Sequence, residues 1–206
     1  MADTPPVPLA RASRLLLGAV VAVAAVLAVT GVWLTFTYRP DAAQAWRDLD
    51  LPSAGIGWTR MTHQVAAALL VPLVVAFLVV GVVAYRRWRL AAALLVTTLA
   101  LAYTGLLLPW DQLALWAVTT GTDYQGMLGA AFGDEVRFVL LGGVEIGQAT
   151  LRLWFLVHTV ALTVVFAGLL ASAARSVRSS SYPPPEVSSP PSSDDRWSNQ
   201  SRTARS

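Results

Sequence analysis

The two histidines of this chain are its side chains best suited to metal chemistry. His63 ends the segment Arg60-Met-Thr-His63, and His158 ends the segment Thr150-Leu-Arg-Leu-Trp-Phe-Leu-Val-His158; each lies near the start of a long apolar run. An ionisable side chain in such a run is costly to bury and usually has a partner and a task. Imidazole is the commonest metal ligand in proteins and also binds haem iron. If the runs pack together, the two imidazoles could hold one haem between them.

Four apolar runs have to position these histidines. They cover Leu15–Phe36, Met61–Tyr85, Leu90–Leu108 and Leu151–Ala174. Each has about the 20 residues that a helix needs to cross a bilayer. Strands are not expected, because an open sheet leaves backbone groups unpaired in lipid. We therefore predict an all-α protein, a transmembrane four-helix bundle, with its membrane domain at residues 15–175.

The composition is typical of a membrane protein and not of a soluble domain. Hydrophobic residues make up 55% of the chain and charged residues 13%, and the mean hydropathy is +0.57. The chain has no cysteine, which excludes disulfides, iron–sulfur ligation and a haem attached through thioether bonds. Its basic residues are all arginines, and most of them flank the apolar runs. We attribute the basic pI to membrane topology and expect no nucleic-acid partner.

The arginines also predict the orientation of the bundle. Three groups lie on one side of a four-span topology: Arg11 and Arg14; Arg86, Arg87 and Arg89; Arg175 and Arg178. Because positive residues concentrate on the cytoplasmic side, we expect both termini in the cytoplasm and both histidines toward the outer face. The alternative is a first run that is cleaved as a signal peptide. That run is longer than the roughly 7–15 apolar residues of such signals, so we expect a retained helix.

Three segments lie outside the predicted spans. Residues 1–14 form a short cytoplasmic segment. The connection Pro109–Thr150 is long for a linker and contains several aromatic residues; such loops are often functional or partly helical. We expect short helices there, along the outer membrane interface. Residues 176–206 are rich in Ser, Pro and Arg and lack apolar residues for a core, so we expect a disordered cytoplasmic tail.

Two glycines complete a candidate haem slot. In this topology the second and fourth spans run from outside to inside, so His63 and His158 lie at similar depth. Gly31 and Gly105 lie near the outer ends of the first and third spans, at that same depth. A glycine lets a flat macrocycle approach the backbone closely. The alternative is that the histidines are hydrogen-bonded packing residues; the matching depth on four helices favours the haem.

Four sequence segments carry a family resemblance. They are Thr30-Gly-Val-Trp-Leu-Thr-Phe-Thr-Tyr-Arg-Pro40, Gly57-Trp-Thr-Arg-Met-Thr-His63, Thr104-Gly-Leu-Leu-Leu-Pro-Trp-Asp-Gln112 and Ile146-Gly-Gln-Ala-Thr-Leu151. With these segments the chain resembles the N-terminal four-helix half of cytochrome b from quinol-oxidising bc and bf complexes. The similarity is closer to the short bf-type form. The Leu-Pro-Trp-Asp-Gln segment, found together with both histidine contexts, is specific.

The resemblance implies a role for each candidate residue. His63 and His158 match the ligands of the family's outer haem, and Gly31 and Gly105 match its packing glycines. Arg60 matches a residue near a haem propionate, although an arginine at the membrane boundary could equally be an interfacial anchor. The implied cofactor is a non-covalent b-type haem. No residue is expected to be catalytic.

The chain departs from the family at the inner haem. The family carries a second histidine fourteen residues after each outer one, which places it roughly 20 Å deeper; here those positions are Phe77 and Ser172. The inner packing glycines would fall at Leu17 and Ala91. Since all four positions lack the family's residue, we predict one haem and not two. The family's arginine after Thr-Leu-Thr is displaced here to Arg152, which leaves its role open.

These observations favour an electron-transfer subunit of a quinol-linked respiratory complex. We expect it to be a multi-pass protein of the cell membrane, in bacteria the inner membrane. One haem would take electrons from quinol or from a redox partner at the outer side. The quinol site of the family also needs a Pro-Glu-Trp-Tyr-type loop, which this sequence lacks. Expected partners are therefore membrane lipid, quinol, a C-terminal cytochrome b-like subunit, and an iron–sulfur protein or a cytochrome c; a homodimer is a further arrangement.

Two other functions stay open. The chain could be a non-catalytic membrane anchor or assembly subunit, in which the histidines only bond across the bundle. It could also be the quinone-site anchor of another respiratory enzyme, but the Leu-Pro-Trp-Asp-Gln segment argues against that.

Overall fold

Every element of regular secondary structure in the described residues is helical. The computed structural model describes residues 7–50, 56–85, 88–123 and 138–179. Its helices are α1 (Val7–Thr37), α2 (Ala45–Asp50), α3 (Ile56–Tyr85), α4 (Trp88–Leu107), α5 (Gln112–Asp123), α6 (Gln148–Leu156) and α7 (Thr163–Ser179). A π-helical segment, Val157–Leu162, joins α6 to α7, and residues 138–141 are also helical. The all-α prediction is confirmed.

Four helices are long and apolar enough to cross a membrane. They cover Pro8–Thr37, Ile56–Val83, Arg89–Leu107 and Gln148–Arg178. Each overlaps one predicted run, so the four-span prediction is confirmed. All four begin before the apolar run does. In α1 this is because Pro8 is tolerated in the first turn of a helix and the Leu, Ala and Arg residues after it are strong helix formers.

The bundle is most tightly packed at the end where the polypeptide enters α1. The helix α1 packs along α3, α3 along α4, and α7 against α4 and α1. The buried side chains of this packed core are Leu17, Val20, Leu70, Val74, Phe77, Ala91, Leu94, Phe166 and Ala173. At the opposite end, where α1 and α4 finish and α3 and α6 begin, the interior contains open space. That space is where the predicted histidines lie.

The segment Leu108-Pro-Trp-Asp-Gln112 turns the chain from α4 into α5. Pro109 cannot supply the N–H that would continue α4, and Trp110 adopts a left-handed φ of 54°. The side chain of Asp111 then caps α5, because its Oδ1 accepts the N–H of Ala114 at 2.8 Å. The helix α5 confirms that the third connection contains a short helix. Residues 124–137 of that connection lie outside the described residues.

The ends of the described chain bear on the predicted domains. The predicted N-terminal segment is continuous with the first span, because α1 already begins at Val7. The helix α7 ends at Ser179, and the rest of the predicted tail lies outside the described residues, as do residues 1–6 and the arginines 86 and 87. The element order places one set of arginines at the end opposite the histidines. These are the described members of the three groups that predict the orientation: Arg11, Arg14, Arg89, Arg175 and Arg178.

Candidate metal centre

Two adjoining cavities bring the predicted site residues together. The outer cavity, about 110 Å³, is lined by all five of them: Gly31, Arg60, His63, Gly105 and His158. The inner cavity, about 330 Å³, shares both histidines and both glycines and continues along alanine and leucine side chains toward the packed core. Ligand sites are typically mostly apolar clefts with a few well-placed polar groups. These cavities have that character.

Each histidine is held by a threonine from another helix. Nδ1 of His63 on α3 lies 2.9 Å from Oγ1 of Thr30 on α1. Nδ1 of His158 lies 2.9 Å from Oγ1 of Thr104 on α4. Each threonine directly precedes one of the two site glycines. The same unit, Thr-Gly on one helix and His on a later one, therefore occurs twice around the cavities.

The threonine hydroxyls determine where each imidazole carries its proton. The hydroxyl of Thr30 donates to the carbonyl of Val26 at 2.7 Å, and that of Thr104 donates to the carbonyl of Ala100 at 2.8 Å. Because a hydroxyl has one hydrogen, its oxygen is then placed to accept an imidazole N–H. This geometry would put the proton on Nδ1 and leave the lone pair on Nε2. Metal-binding histidines commonly have this arrangement, with one nitrogen donating to an oxygen and the other free to bind.

The glycines provide the space that the imidazoles occupy. A Cβ atom added at Gly31 would lie 3.2 Å from Cε1 of His63, and one added at Gly105 would lie 3.0 Å from Cε1 of His158. Both distances are shorter than ordinary van der Waals contact. We predicted that these glycines admit a macrocycle; in the structure they admit the rings, and they also line both cavities.

His158 lies in the π-helical segment that joins α6 to α7. The wider turn loosens the local hydrogen bonding, and the hydroxyl of Thr163 donates to the carbonyl of His158 at 2.8 Å. Segments of this kind are rare and occur frequently at functional sites. In the helix that follows, Ala173 is buried in the core, whereas Ser172 donates to the carbonyl of Gly168 at 2.8 Å.

The inner end of the bundle is filled by side chains. Leu17, Phe77 and Ala91 occupy the positions that would hold two inner glycines and one inner ligand, and all three are buried in the packed core. Ala173, which follows the other inner-ligand position, Ser172, is buried in the same core. Phe77 is only 8% exposed. A second planar cofactor would have to displace this core.

Polar contacts fix α2 over the outer cavity. Arg60 donates from Nη1 to the carbonyl of Leu49 at 3.1 Å, and Leu49 forms part of the cavity wall. Arg39 donates to both carboxylate oxygens of Asp48, at 2.7 and 3.0 Å. These hydrogen bonds hold the pKa of Asp48 below its usual value despite the burial of its carboxylate. Arg60 therefore has a structural contact at the rim, besides any role toward a cofactor.

Two further contacts tie the same rim to the other helices. The hydroxyl of Tyr38 donates to the carbonyl of Leu108 at 2.6 Å, and its ring stacks on Phe155 with centroids 5.7 Å apart. Burial, with a smaller effect of the nearby Asp48 carboxylate, raises the pKa of Tyr38, so its hydroxyl stays protonated and able to donate. The ends of α1, α4 and α6 are thus held at fixed positions around the outer cavity.

Several polar residues of the site were not predicted from the sequence, among them Thr30, Gln64 and Thr104. Thr30 and Thr104 stand before the two glycines, and the repeated Thr-Gly pair was the available signal. Gln64 follows His63 and lines both cavities; an amide inside an apolar run was its signal. What the sequence could not reveal is which helix each threonine faces.

The donor set fits a haem better than a free metal ion. Within residues 7–50, 56–85, 88–123 and 138–179, no group of three or more His, Cys, Asp or Glu side chains could hold a metal. Two imidazoles are too few for a structural zinc site, which takes about four ligands. A porphyrin supplies the other ligands of its iron and leaves axial positions for imidazole. Two neutral imidazoles beside a largely apolar cavity match that requirement.

Comparisons with known proteins give a consistent result. The family model described as Cytochrome b/b6/petB matches residues 7–174. The chain is 32% identical over 162 residues to cytochrome b6 of Porphyra purpurea, with 73% of this chain and 75% of that protein covered. It is 32% identical over 148 residues to cytochrome b6 of Chlamydomonas reinhardtii, with 67% and 68% covered. A solved chain described as "Hyperthermophilic respiratory Complex III" shares the fold at a TM-score of 0.71 and 20% identity; the match covers 93% of this chain but only 53% of that one, so this chain spans about half its length.

Proposed function

This chain belongs to the cytochrome b family, and we propose that it is an electron-transfer subunit that holds one b-type haem between His63 and His158. The observation that carries the proposal is the pair of imidazoles lining the same two cavities, each with Nδ1 2.9 Å from a threonine Oγ1. When bound, the haem supplies a centre that gains and loses one electron. Family membership implies this cofactor; the ligand assignment is our inference from the site.

The residues around the cavities favour electron transfer over bond-making chemistry. His63 and His158 would be the two protein ligands of the haem, which would supply electron transfer and not a binding position for a substrate. The apolar lining of the inner cavity keeps water out and lowers the local dielectric. Arg60 puts a positive charge on the wall of the outer cavity, where it can attract a carboxylate of the cofactor. No step requires a general acid or base.

A stoichiometry of one haem is supported by the packed core at the inner end. Phe77 and Ala91 are buried there together with Ala173, in the space that a second haem would need. With no inner centre, electrons would face a gap of roughly 20 Å between the two depths. We infer that the chain exchanges electrons on one side of the membrane and does not by itself complete a transmembrane circuit.

We propose that this side is the outer one and that both termini are cytoplasmic. The described arginines at the opposite end of the bundle support this orientation. A reporter that is active only outside the cytoplasm should be silent when fused after Ser206 and active when inserted near Gly121. The reverse pattern would overturn the orientation without affecting the haem assignment.

We propose further that the chain works with other subunits of a quinol-linked bc-type complex. Its curated relatives are cytochromes b6 and its structural neighbour is a chain of a respiratory Complex III. The partners we propose are a C-terminal cytochrome b-like subunit and an iron–sulfur protein or a cytochrome c. Isolation of the chain in mild detergent, followed by identification of co-purifying subunits, tests this part independently of the haem.

Haem content decides between this function and a haem-free anchor or assembly subunit. A pyridine haemochrome assay with protein quantitation gives haem type and stoichiometry in one measurement. We expect one b-type haem per chain, fully extractable into acidic acetone because the chain has no cysteine to attach it. A ratio near two would refute the single-haem inference. Absence of haem from protein that was made with ample haem supply would leave the anchor role.

A further inference from the structure

We propose that Thr30 and Thr104 are positioning residues that set the tautomer of the two imidazoles before any iron binds and lower the potential of the iron afterwards. The second part rests on the proposed function; the first part concerns the protein without haem. The inference starts from the two equal distances of 2.9 Å between Oγ1 and Nδ1. Thr30 and Thr104 are not among the residues that line the outer or the inner cavity, so they act on the imidazoles from behind.

The tautomer has to be imposed by the protein. A neutral histidine side chain in water carries its proton mainly on Nε2, the nitrogen that must be free for binding. Here each threonine oxygen can only accept, because its hydrogen is committed to a carbonyl one turn earlier.

The same hydrogen bonds would act on a bound iron. An imidazole that donates from Nδ1 becomes a more basic ligand at Nε2. A more basic axial ligand stabilises the ferric state and lowers the reduction potential. Since the two distances are equal, the two threonines should contribute in the same direction and by similar amounts. Removing either hydroxyl should therefore raise the potential.

Thr98 is a matched control for a purely structural role. It lies on α4 like Thr104, is buried, and donates its hydroxyl to the carbonyl of Leu94 at 2.7 Å. It also lines the inner cavity, yet no hydrogen bond joins it to an imidazole among the described residues. An effect that comes only from losing a buried hydroxyl, or its hydrogen bond to a carbonyl of the same helix, will therefore also appear in the Thr98→Val variant.

The first test uses haem-free protein in detergent, labelled with ¹⁵N-histidine and purified without a polyhistidine tag. With only two histidines in the chain, the spectrum contains two imidazoles, and His63→Ala assigns them. We expect the Nδ1–H tautomer for both. Thr30→Val should move only the His63 signals toward the Nε2–H tautomer, while Thr30→Ser and Thr98→Val leave them in place. A wild-type spectrum dominated by Nε2–H, or a Thr30→Val spectrum identical to that of Thr98→Val, would overturn the proposal.

The second test measures the midpoint potential and the low-spin electron paramagnetic resonance spectrum of haem-loaded protein. Thr30→Val and Thr104→Val should each raise the potential and shift the spectrum, and the serine variants should restore both. Unchanged values in both valine variants refute the tuning role while leaving the haem-subunit function intact. If the wild type takes up no haem, the proposed function fails and the nitrogen spectra of the haem-free protein still decide the positioning role. If one valine variant does not insert, the other threonine provides the same test.

Discussion

Alanine at Gly105 is expected to weaken haem binding more than alanine at Gly31. The added methyl group would lie 3.0 Å from Cε1 of His158, whereas at Gly31 it would lie 3.2 Å from Cε1 of His63. Ordinary contact begins at 3.4 Å, so both rings have to move, and His158 has to move about twice as far. Movement away from the glycine also pulls Nδ1 away from its threonine and turns Nε2 from its position.

The magnitude follows from the cost of overpacking a well-packed site. That cost is about 1–3 kcal/mol, which corresponds to an affinity loss of about 5- to 150-fold. We place Gly105→Ala in the upper part of this range and Gly31→Ala near its lower end. The helices themselves should tolerate the change, because alanine inside a helix is about 0.5–1 kcal/mol more favourable than glycine.

The assay is a titration of haem-free protein in detergent with haem, followed at its low-spin absorption band. Gly18→Ala is the matched control: Gly18 is also on α1, and no atom lies within 4 Å of the added Cβ. Its haem affinity should equal that of the wild type. If Gly105→Ala binds haem as tightly as Gly18→Ala, the glycine does not provide the space for the imidazole, and the reasoning from ring contacts is wrong.

Three other predictions test different parts of the molecule. His63→Ala and His158→Ala should each abolish the low-spin haem spectrum; an unchanged spectrum in either variant removes that histidine from the ligand pair. Asp48→Asn should lower the melting temperature at neutral pH, because Arg39 loses its charged acceptor. Since Arg39 lowers the pKa of Asp48, this stabilisation is complete above the unfolded-state pKa of about 3.9 and is lost as the pH falls through the lower folded-state value. Thermal melts of wild type and variant should therefore converge in acid, and a constant difference down to about pH 2 would contradict this. Phe77→Ala should cost about 3–5 kcal/mol of stability through the cavity it leaves, with haem stoichiometry unchanged; a gain of haem would mean that Phe77 blocks a second site.

The membrane spans could be predicted because hydrocarbon imposes one solution on an apolar run. Their ends could not be predicted as well. The third run continues through Leu108, yet α4 ends at Leu107, because Pro109 and the left-handed Trp110 divert the backbone. At α1 the helix extends well before the apolar run, since helix propensity and not hydropathy decides where it begins.

The meeting of the two histidines and two glycines could be predicted from depth, because antiparallel spans bring the residues near one membrane face together, whereas Arg60 was named only from the family resemblance. Which side chains face each other inside the bundle depends on how each helix is rotated about its own axis, and depth does not determine that rotation. The segment Val157–Leu162 contains neither proline nor glycine, so nothing in it signals a π-helix. The threonine contacts depend on rotation in the same way. The contact of Arg60 with the Leu49 carbonyl depends on the path of a connecting loop.

The division of the site between two helix pairs has a consequence for how the protein is made. Thr30 and His63 lie on the first two spans, whereas Thr104 and His158 lie on the last two. During synthesis the first half of the site can therefore form as soon as α3 has entered the bilayer. The opposing imidazole arrives only with the final span, after the long third connection has been translated. With the proposed ligands, cofactor capture would be a late step in biogenesis, and a chain interrupted in that connection would carry half a site in an inserted but incomplete bundle.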